Sequence, residues 1–325
     1  MNLTLAPLAG FTDAPFRKVA HRFGAAKTYT EMLSAAALAR GHEATKVIFE
    51  VLPDEGPVAC QIFGANVDDV SRAVAALPHS RFCEINLNAG CPMTKVTRSG
   101  SGAKLMESPV QVYALLKAMK DNCPLPVTLK TRLGPAPGND TVFELLDAAQ
   151  SAGAEALIVH ARYASQMHGG PVNLELLRDV VAKAKIPVFG NGSITGRASL
   201  DAMLATGVAG VMIGRAALAD PAIFCSLGDG IRQECEPLSR IETFNMHMGY
   251  IIDFHAQLVQ NLKTCRLPDL DSFAALKART HLFRYFSGLP GACALRARFN
   301  SVRSLADIYS IVKDVKSTLG GGAQQ

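Results

Sequence analysis

The sequence feature that most constrains the fold is a repeated alternation of two kinds of segment. A short apolar, often β-branched run is followed by a Gly, Pro or Asn break and then by an Ala/Leu-rich stretch of helical period, as in residues 108–122 and 173–184. The apolar runs lie at 3–7, 27–32, 57–64, 83–88, 126–134, 156–162, 187–192 and 210–215. Eight successive strand–helix units predict an α/β fold of the (β/α)8, or TIM barrel, type. A doubly wound open sheet is the alternative, but it usually has fewer strands, and no GxGxxG follows the first run.

The alternation stops at about residue 235. Long segments of helical period follow at 241–262, 271–288 and 301–319, which predict a small helical bundle. A chain of 325 residues with 49% hydrophobic residues can bury both units. We therefore expect a barrel domain at 1–234, a helical domain at 235–320 and a disordered tail at 321–325.

Several classes of protein are disfavoured by composition. The longest stretch without a charged residue, 202–214, is shorter than the roughly 18 residues that span a bilayer. The first residues show no basic segment and no small-residue cleavage site, so we expect a cytoplasmic protein without a membrane segment. The cysteines include no CxxC pair and no Cys/His cluster, and we expect no metal site. Cys91, between Gly90 and Pro92, is poorly placed for a core residue.

Polar residues follow the predicted strands where each strand ends. Barrel enzymes place their chemistry at this carboxyl end of the strands. Burying polar groups there is costly unless a polar partner is present, so the pattern indicates a bound ligand. The polar residues at the strand ends include Glu31, Gln61, Asn88, Lys130, Arg132, His160, Arg162, Asn191 and Arg215.

The last two strands favour a phosphate-containing ligand. They end in FGNGSITG and MIGRAAL, where glycine NH groups, a following helix N-terminus and Arg215 can bind an anion. Gln61 suits the polar edge of a heterocycle, and Lys130 can stabilise negative charge on a reduced ring. Together these features suggest flavin mononucleotide (FMN), although several barrel families bind phosphorylated ligands in this way.

A series of motifs resembles one family. APLAGFTDAPFR (6–17), YTEM (29–32), CQIFG (60–64), EINLNAGCP (84–92), SGSGAKLM (99–106), VTLKTRLG (127–134), IVHAR (158–162), FGNGSI (189–194) and VMIGRAAL (211–218) occur in the order and spacing of bacterial tRNA-dihydrouridine synthases. The resemblance implies an FMN-dependent oxidoreductase acting on CH–CH bonds. NADPH would reduce the flavin, and the flavin would reduce the C5=C6 bond of uracil in tRNA. Cys91 matches the cysteine that gives the proton to C5.

The resemblance also implies roles for individual positions. Those implied for the flavin are Pro7, Leu8, Ala9, Gln61, Lys130, His160, Asn191, Gly192, Ser193, Gly214 and Arg215. Those implied for the substrate are Asn88 and, from a segment that matches the family more loosely, Arg162, Gln166 and His168. Ser193 stands where the family usually has an acid. Lys95 lies in the basic segment that follows Cys91, which could cover a polyanionic substrate or be an ordinary solvated loop.

The predicted helical domain contains a basic stretch. From Lys277 to Arg303 there are six basic residues and no acidic one, although the whole chain has a formal charge of only +5. With His281, Phe283 and Tyr285 among them, this stretch predicts a nucleic-acid surface, and the resemblance implies tRNA. The expected RNA contacts are Arg279, Arg284, Arg296 and Arg298. The segment ARTHLFRYFSG lacks the tryptophan of the family's motif.

Two other functions stay open from the sequence. One is an FMN barrel oxidoreductase acting on a free small molecule, as dihydroorotate dehydrogenases do. The other is a non-catalytic RNA-binding protein built on a barrel. The acid-free basic stretch argues against the first. We expect the protein to be a monomer.

Overall fold

The computed structural model describes residues 2–228, 238–263, 265–289 and 291–321. Within these ranges nine parallel strands form one sheet in the order β1-β9-β8-β7-β6-β5-β4-β2, with β3 also pairing with β4. The strands are β1 (Leu3–Leu5), β2 (Thr28–Tyr29), β3 (Leu33–Ser34), β4 (Val58–Phe63), β5 (Glu84–Ala89), β6 (Val127–Arg132), β7 (Ala156–His160), β8 (Val188–Asn191) and β9 (Gly210–Ile213).

The sheet closes between β1 and β2. A bridge joins Thr4 to Lys27, and backbone NH groups of Leu5 and Ala26 donate hydrogen bonds of 3.0 Å to Lys27 O and 2.8 Å to Leu3 O. The predicted (β/α)8 barrel is thereby confirmed. One strand of the barrel wall was expected from the second apolar run, but two short strands, β2 and β3, stand at this position. The reason lies at Thr30, whose side-chain oxygen accepts the backbone NH of Gln61 at 3.0 Å in place of a main-chain carbonyl.

Helices follow the strands around the barrel. They are α1 (Ala14–Arg22), α2 (Ala35–Ala39), α3 (Val67–Ala75), α4 (Thr94–Thr97), α5 (Pro109–Asn122), α6 (Val142–Ser151), α7 (Leu174–Lys183), α8 (Arg197–Leu204), α9 (Ala216–Ala219) and α10 (Ile223–Leu227). Side chains that accept backbone NH groups begin several of them, including Asp13 for α1, Asn66 for α3 and Asn173 for α7.

The C-terminal region is helical, as predicted. It consists of α11 (Arg240–Asn261), α12 (Leu270–Thr280), α13 (Ala292–Ser301) and α14 (Leu305–Gly321), with a 3-10 turn at Leu282–Phe286. Phe244, Phe254, Phe286 and Phe299 lie in its own hydrophobic core. The expected boundary at 234/235 and residues 322–325 of the expected tail lie outside the described residues, so the domain limits stay a prediction; Gly321 is still helical.

An ion pair and an aromatic contact join the helical region to the barrel. The Nζ atom of Lys277 lies 2.6 Å from Oδ2 of Asp13, the residue that caps α1. His281 packs edge-on to Phe16 at 4.3 Å between ring centroids, and Tyr285 shares a 2.9 Å hydrogen bond with His247. His281 and Tyr285 are 3% and 1% exposed. The expectation that they belong to an RNA-binding surface is therefore wrong, because His281 packs against the barrel and Tyr285 is buried against His247.

Two kinds of feature, a membrane-spanning helix and a cluster of metal ligands, are absent from the described ranges. No helix there is long and apolar enough to cross a bilayer. No group of three or more His, Cys, Asp or Glu side chains there is arranged to hold a metal ion.

Candidate active site

The segment after β5 is held in place by a side chain of the same strand. Oδ1 of Asn88 accepts the backbone NH of Gly90 at 3.1 Å and that of Cys91 at 3.0 Å. The carbonyl of Cys91 in turn accepts the NH of Ala103 at 2.8 Å. At Gly102, where φ is +61°, an added Cβ would lie 2.6 Å from Cys91 O, so this close approach requires glycine. The thiol of Cys91 is free and partly exposed at the carboxyl end of the barrel.

A row of amide side chains lies beside this segment. Gln61 in β4 is fully buried, and its Nε2 donates to Oδ1 of Asn86 at 2.7 Å. Its Oε1 accepts from Nδ2 of Asn88 at 2.8 Å. Because these two bonds leave Gln61 one N–H and one lone pair, its amide can still bind a heterocycle edge. Asn88, expected on the substrate side, has its oxygen committed to the Cys91 segment.

Four basic residues converge at the ends of β6, β7 and β9. They are Lys130, Arg132, Arg162 and Arg215, and none forms an ion pair with an acidic side chain of the described residues. Burial, together with the charge of Arg132, lowers the pKa of Lys130 to about 7. Within the described part of the chain its ammonium makes one long hydrogen bond, 3.3 Å to Oδ1 of Asn191. Such uncompensated positive charge indicates an anionic ligand.

His160, at the end of β7, is held as a neutral imidazole. Its Nε2 lies 3.1 Å from Nη1 of Arg162, and a guanidinium can only donate, so Nε2 accepts. Burial and then the charges of Lys130, Arg132 and Arg162 hold the pKa of His160 far below its ordinary value. The ring proton therefore lies on Nδ1, where it is available to an acceptor in the barrel mouth.

Arg162 was expected on the substrate side, and the structure instead commits it to internal bonds. It is 3% exposed and donates to the carbonyls of Gly169 at 3.0 Å and Gly170 at 2.7 Å. It also donates to Oγ of Ser193 at 2.5 Å. Arg162 thus joins the segment after β7 to the one after β8. Gln166 and His168 lie in the segment after β7.

The expected phosphate end has an unusual backbone. Gly192 and Ser193 are consecutive residues with positive φ, +123° and +56°. At Gly192 an added Cβ would lie 2.9 Å from the ring of His160, so only glycine fits there. Gly214, after β9, lies near Leu8 in the segment that contains Pro7 and Ala9. Arg215 donates to His168 O at 3.2 Å and is otherwise free of ion pairs within the described ranges.

The basic residues of the helical region are not equivalent. Arg298 forms a 2.6 Å ion pair with Asp314, which compensates the charge that was expected to contact RNA. Arg284 lies 4.8 Å from the ring centre of Phe11, which closely follows residues 7–9 in the chain. Arg296 lies 5.1 Å from the ring centre of Phe283. The Nε atom of Arg284 is buried and has no hydrogen-bond partner in the described part of the chain. Lys95 is exposed in α4, close to Cys91 in the chain, and Arg279 is half-buried in α12.

Four further residues of this end or the interior of the barrel had no role predicted from the sequence: Glu84, Asn86, Thr128 and Arg132. A usable signal is present in EINLNA, where Glu84, Asn86 and Asn88 alternate with apolar residues and must share one face of β5. In a barrel strand the polar set of such an alternation faces the interior.

The donors present fit a flavin mononucleotide. A buried amide, a neutral imidazole and a lysine without a carboxylate partner suit a polar ring edge, and the glycine segments with Arg215 suit a phosphate. The model for the dihydrouridine synthase (Dus) family matches residues 4–318. The chain belongs to the dihydrouridine synthase family. Dihydrouridine synthases are oxidoreductases, so the expectation of an oxidoreductase is confirmed at this level.

The names of two similar proteins are consistent with this family. A probable tRNA-dihydrouridine synthase of Treponema pallidum is 32% identical over 336 residues, covering 98% of this chain and 94% of the relative. A tRNA-dihydrouridine synthase B of Pseudomonas putida is 31% identical over 312 residues, covering 93% and 87%. A solved structure of a 2-naphthoyl-CoA reductase, 10% identical, aligns with TM-score 0.50 over 70% of this chain and 50% of that one, which supports the fold alone.

Proposed function

We propose that this dihydrouridine synthase family member is an FMN- and NADPH-dependent enzyme that reduces the C5=C6 bond of uridines in tRNA, in the cytoplasm. The observation that supports this most directly is the position of Cys91. Its backbone is fixed by Asn88 at the carboxyl end of the barrel, beside a group of cations that have no acidic partner among the described residues. A proton donor and an anionic, electron-carrying ligand are what the reaction requires.

The residues that would hold FMN surround the barrel mouth. Pro7, Leu8 and Ala9 are placed for the ring system, with Gln61, Lys130 and His160 for its polar atoms; Asn191, Gly192, Ser193, Gly214 and Arg215 are placed for the phosphate side. When bound, FMN supplies the hydride that adds to C6 of uracil. The Lys130 ammonium can stabilise negative charge on the ring, and His160 can donate through Nδ1–H.

Cys91 would complete the reduction from the other side of the base. Hydride addition at C6 places negative charge at C5 and O4, and the Sγ–H of Cys91 gives its proton to C5. Solvent returns that proton to the thiol before the next turnover. The fixed NH of Cys91 limits how far the donor can move from the base, which keeps the transfer distance short.

The substrate would be bound by charge outside the barrel mouth. A uridine must leave its stack to reach the mouth, at a cost of a few kcal/mol that remote contacts have to offset. Arg279, Arg284 and Arg296, and Lys95 next to Cys91, are available for phosphates, whereas Arg298 is already paired with Asp314.

Mass analysis of tRNA tests the proposal. Deleting the gene should remove dihydrouridine from defined positions, and the wild-type gene should restore it while the Cys91→Ala gene should not. The purified protein should be yellow with bound flavin. Unchanged tRNA in the deletion strain, combined with turnover of free uracil derivatives, would favour the small-molecule alternative. A colourless protein that still binds tRNA would favour the non-catalytic one.

A further inference from the structure

A continuous hydrogen-bond relay runs through the barrel interior to the Cys91 segment. We define the relay as Glu84, Thr128, Asn86, Gln61 and Asn88. Thr128 Oγ1 donates to Glu84 Oε1 at 2.6 Å, and Asn86 Nδ2 donates to Thr128 Oγ1 at 2.7 Å. Gln61 Nε2 then donates to Asn86 Oδ1 at 2.7 Å, and Asn88 Nδ2 donates to Gln61 Oε1 at 2.8 Å.

The direction of the relay is determined at both ends. A carboxylate can only accept, so the hydroxyl proton of Thr128 is committed to Glu84 and its oxygen must accept from an amide NH₂. At the other end, the backbone NH groups of Gly90 and Cys91 can only donate, so Asn88 must present its oxygen to them. Both constraints give the same orientation for every amide between them. Turning one amide would place two NH₂ groups or two oxygens face to face.

Glu84 is firmly anchored at the start of the relay. It is 5% exposed, and its carboxylate accepts from Lys27 and, at 3.0 Å, from the hydroxyl of Tyr29. Burial, followed by the charge of Glu84, raises the pKa of Tyr29 well above its ordinary value, so this hydroxyl stays a donor. Three donors therefore hold the carboxylate in its acceptor role.

We propose that Glu84 and Thr128 are positioning residues that, from inside the barrel, set which atoms Gln61 presents to the flavin and how Asn88 holds Cys91. The flavin half of this inference rests on the proposed function, whereas the Cys91 half does not. Neither residue lies at the barrel mouth, so both act through Asn86 and Gln61. Buried polar groups linked in one direction are costly to break singly, because each break leaves a partner unsatisfied.

Thr128→Val is the sharpest test, because it keeps the shape of the side chain and removes both bonds of its hydroxyl. Thr128→Ser keeps the hydroxyl and should behave as wild type. Thr4→Val is the matched control, since Thr4 is a buried barrel threonine whose Oγ1 has no hydrogen-bond partner among the described residues. Glu84→Gln is a second relay variant, because one amide oxygen cannot replace a carboxylate that accepts from three donors.

Two measurements on the apoprotein read the two halves separately. FMN affinity, followed by flavin fluorescence, should weaken about tenfold in Thr128→Val, equivalent to about 1.4 kcal/mol. Alkylation of Cys91 by iodoacetamide, followed by mass spectrometry of its peptide, should accelerate about three- to tenfold as the segment loosens. Glu84→Gln should likewise weaken FMN affinity and accelerate alkylation of Cys91. If Thr128→Val cannot be purified in a folded form, Glu84→Gln provides the test of the relay.

A merely structural role predicts a different pattern. It would lower the midpoint of thermal unfolding of Thr128→Val while leaving FMN affinity and Cys91 alkylation equal to those of Thr128→Ser and Thr4→Val, and this result would overturn the inference. Failure of the wild-type apoprotein to bind FMN would instead refute the proposed function. In that case the alkylation rates would still decide whether the relay positions Cys91.

Discussion

The Nε atom of Arg132 donates a 2.8 Å hydrogen bond to the carbonyl oxygen of Gly90, the residue before Cys91. The Nη1 atom of the same guanidinium donates to Met167 O at 2.7 Å and to Tyr163 O at 3.1 Å. Arg132 therefore joins the segment after β5, which contains the proposed acid, to the segment after β7, which ends beside Arg215. No other side chain among the described residues bonds to both segments.

Arg132→Lys should slow uridine reduction without releasing flavin. Lysine keeps a positive charge but cannot form the three directed bonds of the guanidinium, so the Cys91 segment loses its tie to the segment after β7. We expect kcat to fall about tenfold or more, since one lost hydrogen bond to a charged group is worth about 1.5–3 kcal/mol. Single-turnover kinetics and the flavin-to-protein ratio measure the two effects. Arg72→Lys, at an exposed i,i+3 pair with Asp69, is the control.

Cys91→Ala should separate flavin chemistry from proton delivery. The substitution removes Sγ but leaves the NH that Asn88 accepts, so the segment keeps its position. Flavin content and flavin reduction by NADPH should match wild type, while dihydrouridine formation falls by about 10²-fold or more, the usual scale of a lost general acid. If the variant modified tRNA at the wild-type rate, another group would have to be the proton donor.

FMN affinity should depend on pH through Lys130. Its pKa of about 7 in the protein lies below the ordinary lysine value, so the ammonium is present below about pH 7 and is lost as the pH rises. Because the proposed contact needs the ammonium, the Kd for FMN should increase as pH rises from about 6 to about 8.5. By the same shift the apoprotein becomes more stable above about pH 7, where only the unfolded chain still binds this proton.

Lys130→Met is the control for this pH dependence. It should bind FMN more weakly at every pH and show a flat profile in the range where the wild type changes. Riboflavin, which has no phosphate to titrate, should show the same Lys130-dependent profile if the ring is the partner. A wild-type profile that Lys130→Met reproduced would show that another group titrates.

The fold was largely predictable because its signals are local. Strand runs such as 210–213 are continuous and apolar, and glycines and prolines mark where they end, so the barrel and most strand positions follow from pattern alone. The division of the second wall position was not predictable, because it depends on the side chain of Thr30 replacing a main-chain acceptor for Gln61. This exchange of a main-chain acceptor for a side-chain acceptor is visible only once the two strands are placed side by side.

The site was predictable in its residue types and less so in its bonding. Lys130 and His160 could be identified as strand-end groups, but the neutral state of His160 depends on Arg162 donating to its Nε2. Arg296 and Arg298 are two residues apart in a basic stretch. Only the packing of α13 against α14 shows that Asp314 pairs with Arg298 and not with Arg296. Contacts between distant segments thus account for most of what the sequence left open.

The last prediction concerns these two arginines. Arg296 has an aromatic neighbour and no ion pair within the described residues, whereas the charge of Arg298 is compensated by Asp314. If Arg296 binds a tRNA phosphate, Arg296→Gln should reduce the slope of log affinity against log salt by about 0.7–0.9. Arg298→Gln is the matched control, and it should change the slope less because Asp314 already occupies its guanidinium. Measuring tRNA affinity over a range of salt concentrations decides between them. Equal changes in the two variants would show that the ion pair opens in the complex, and no change in either would place the RNA on another face.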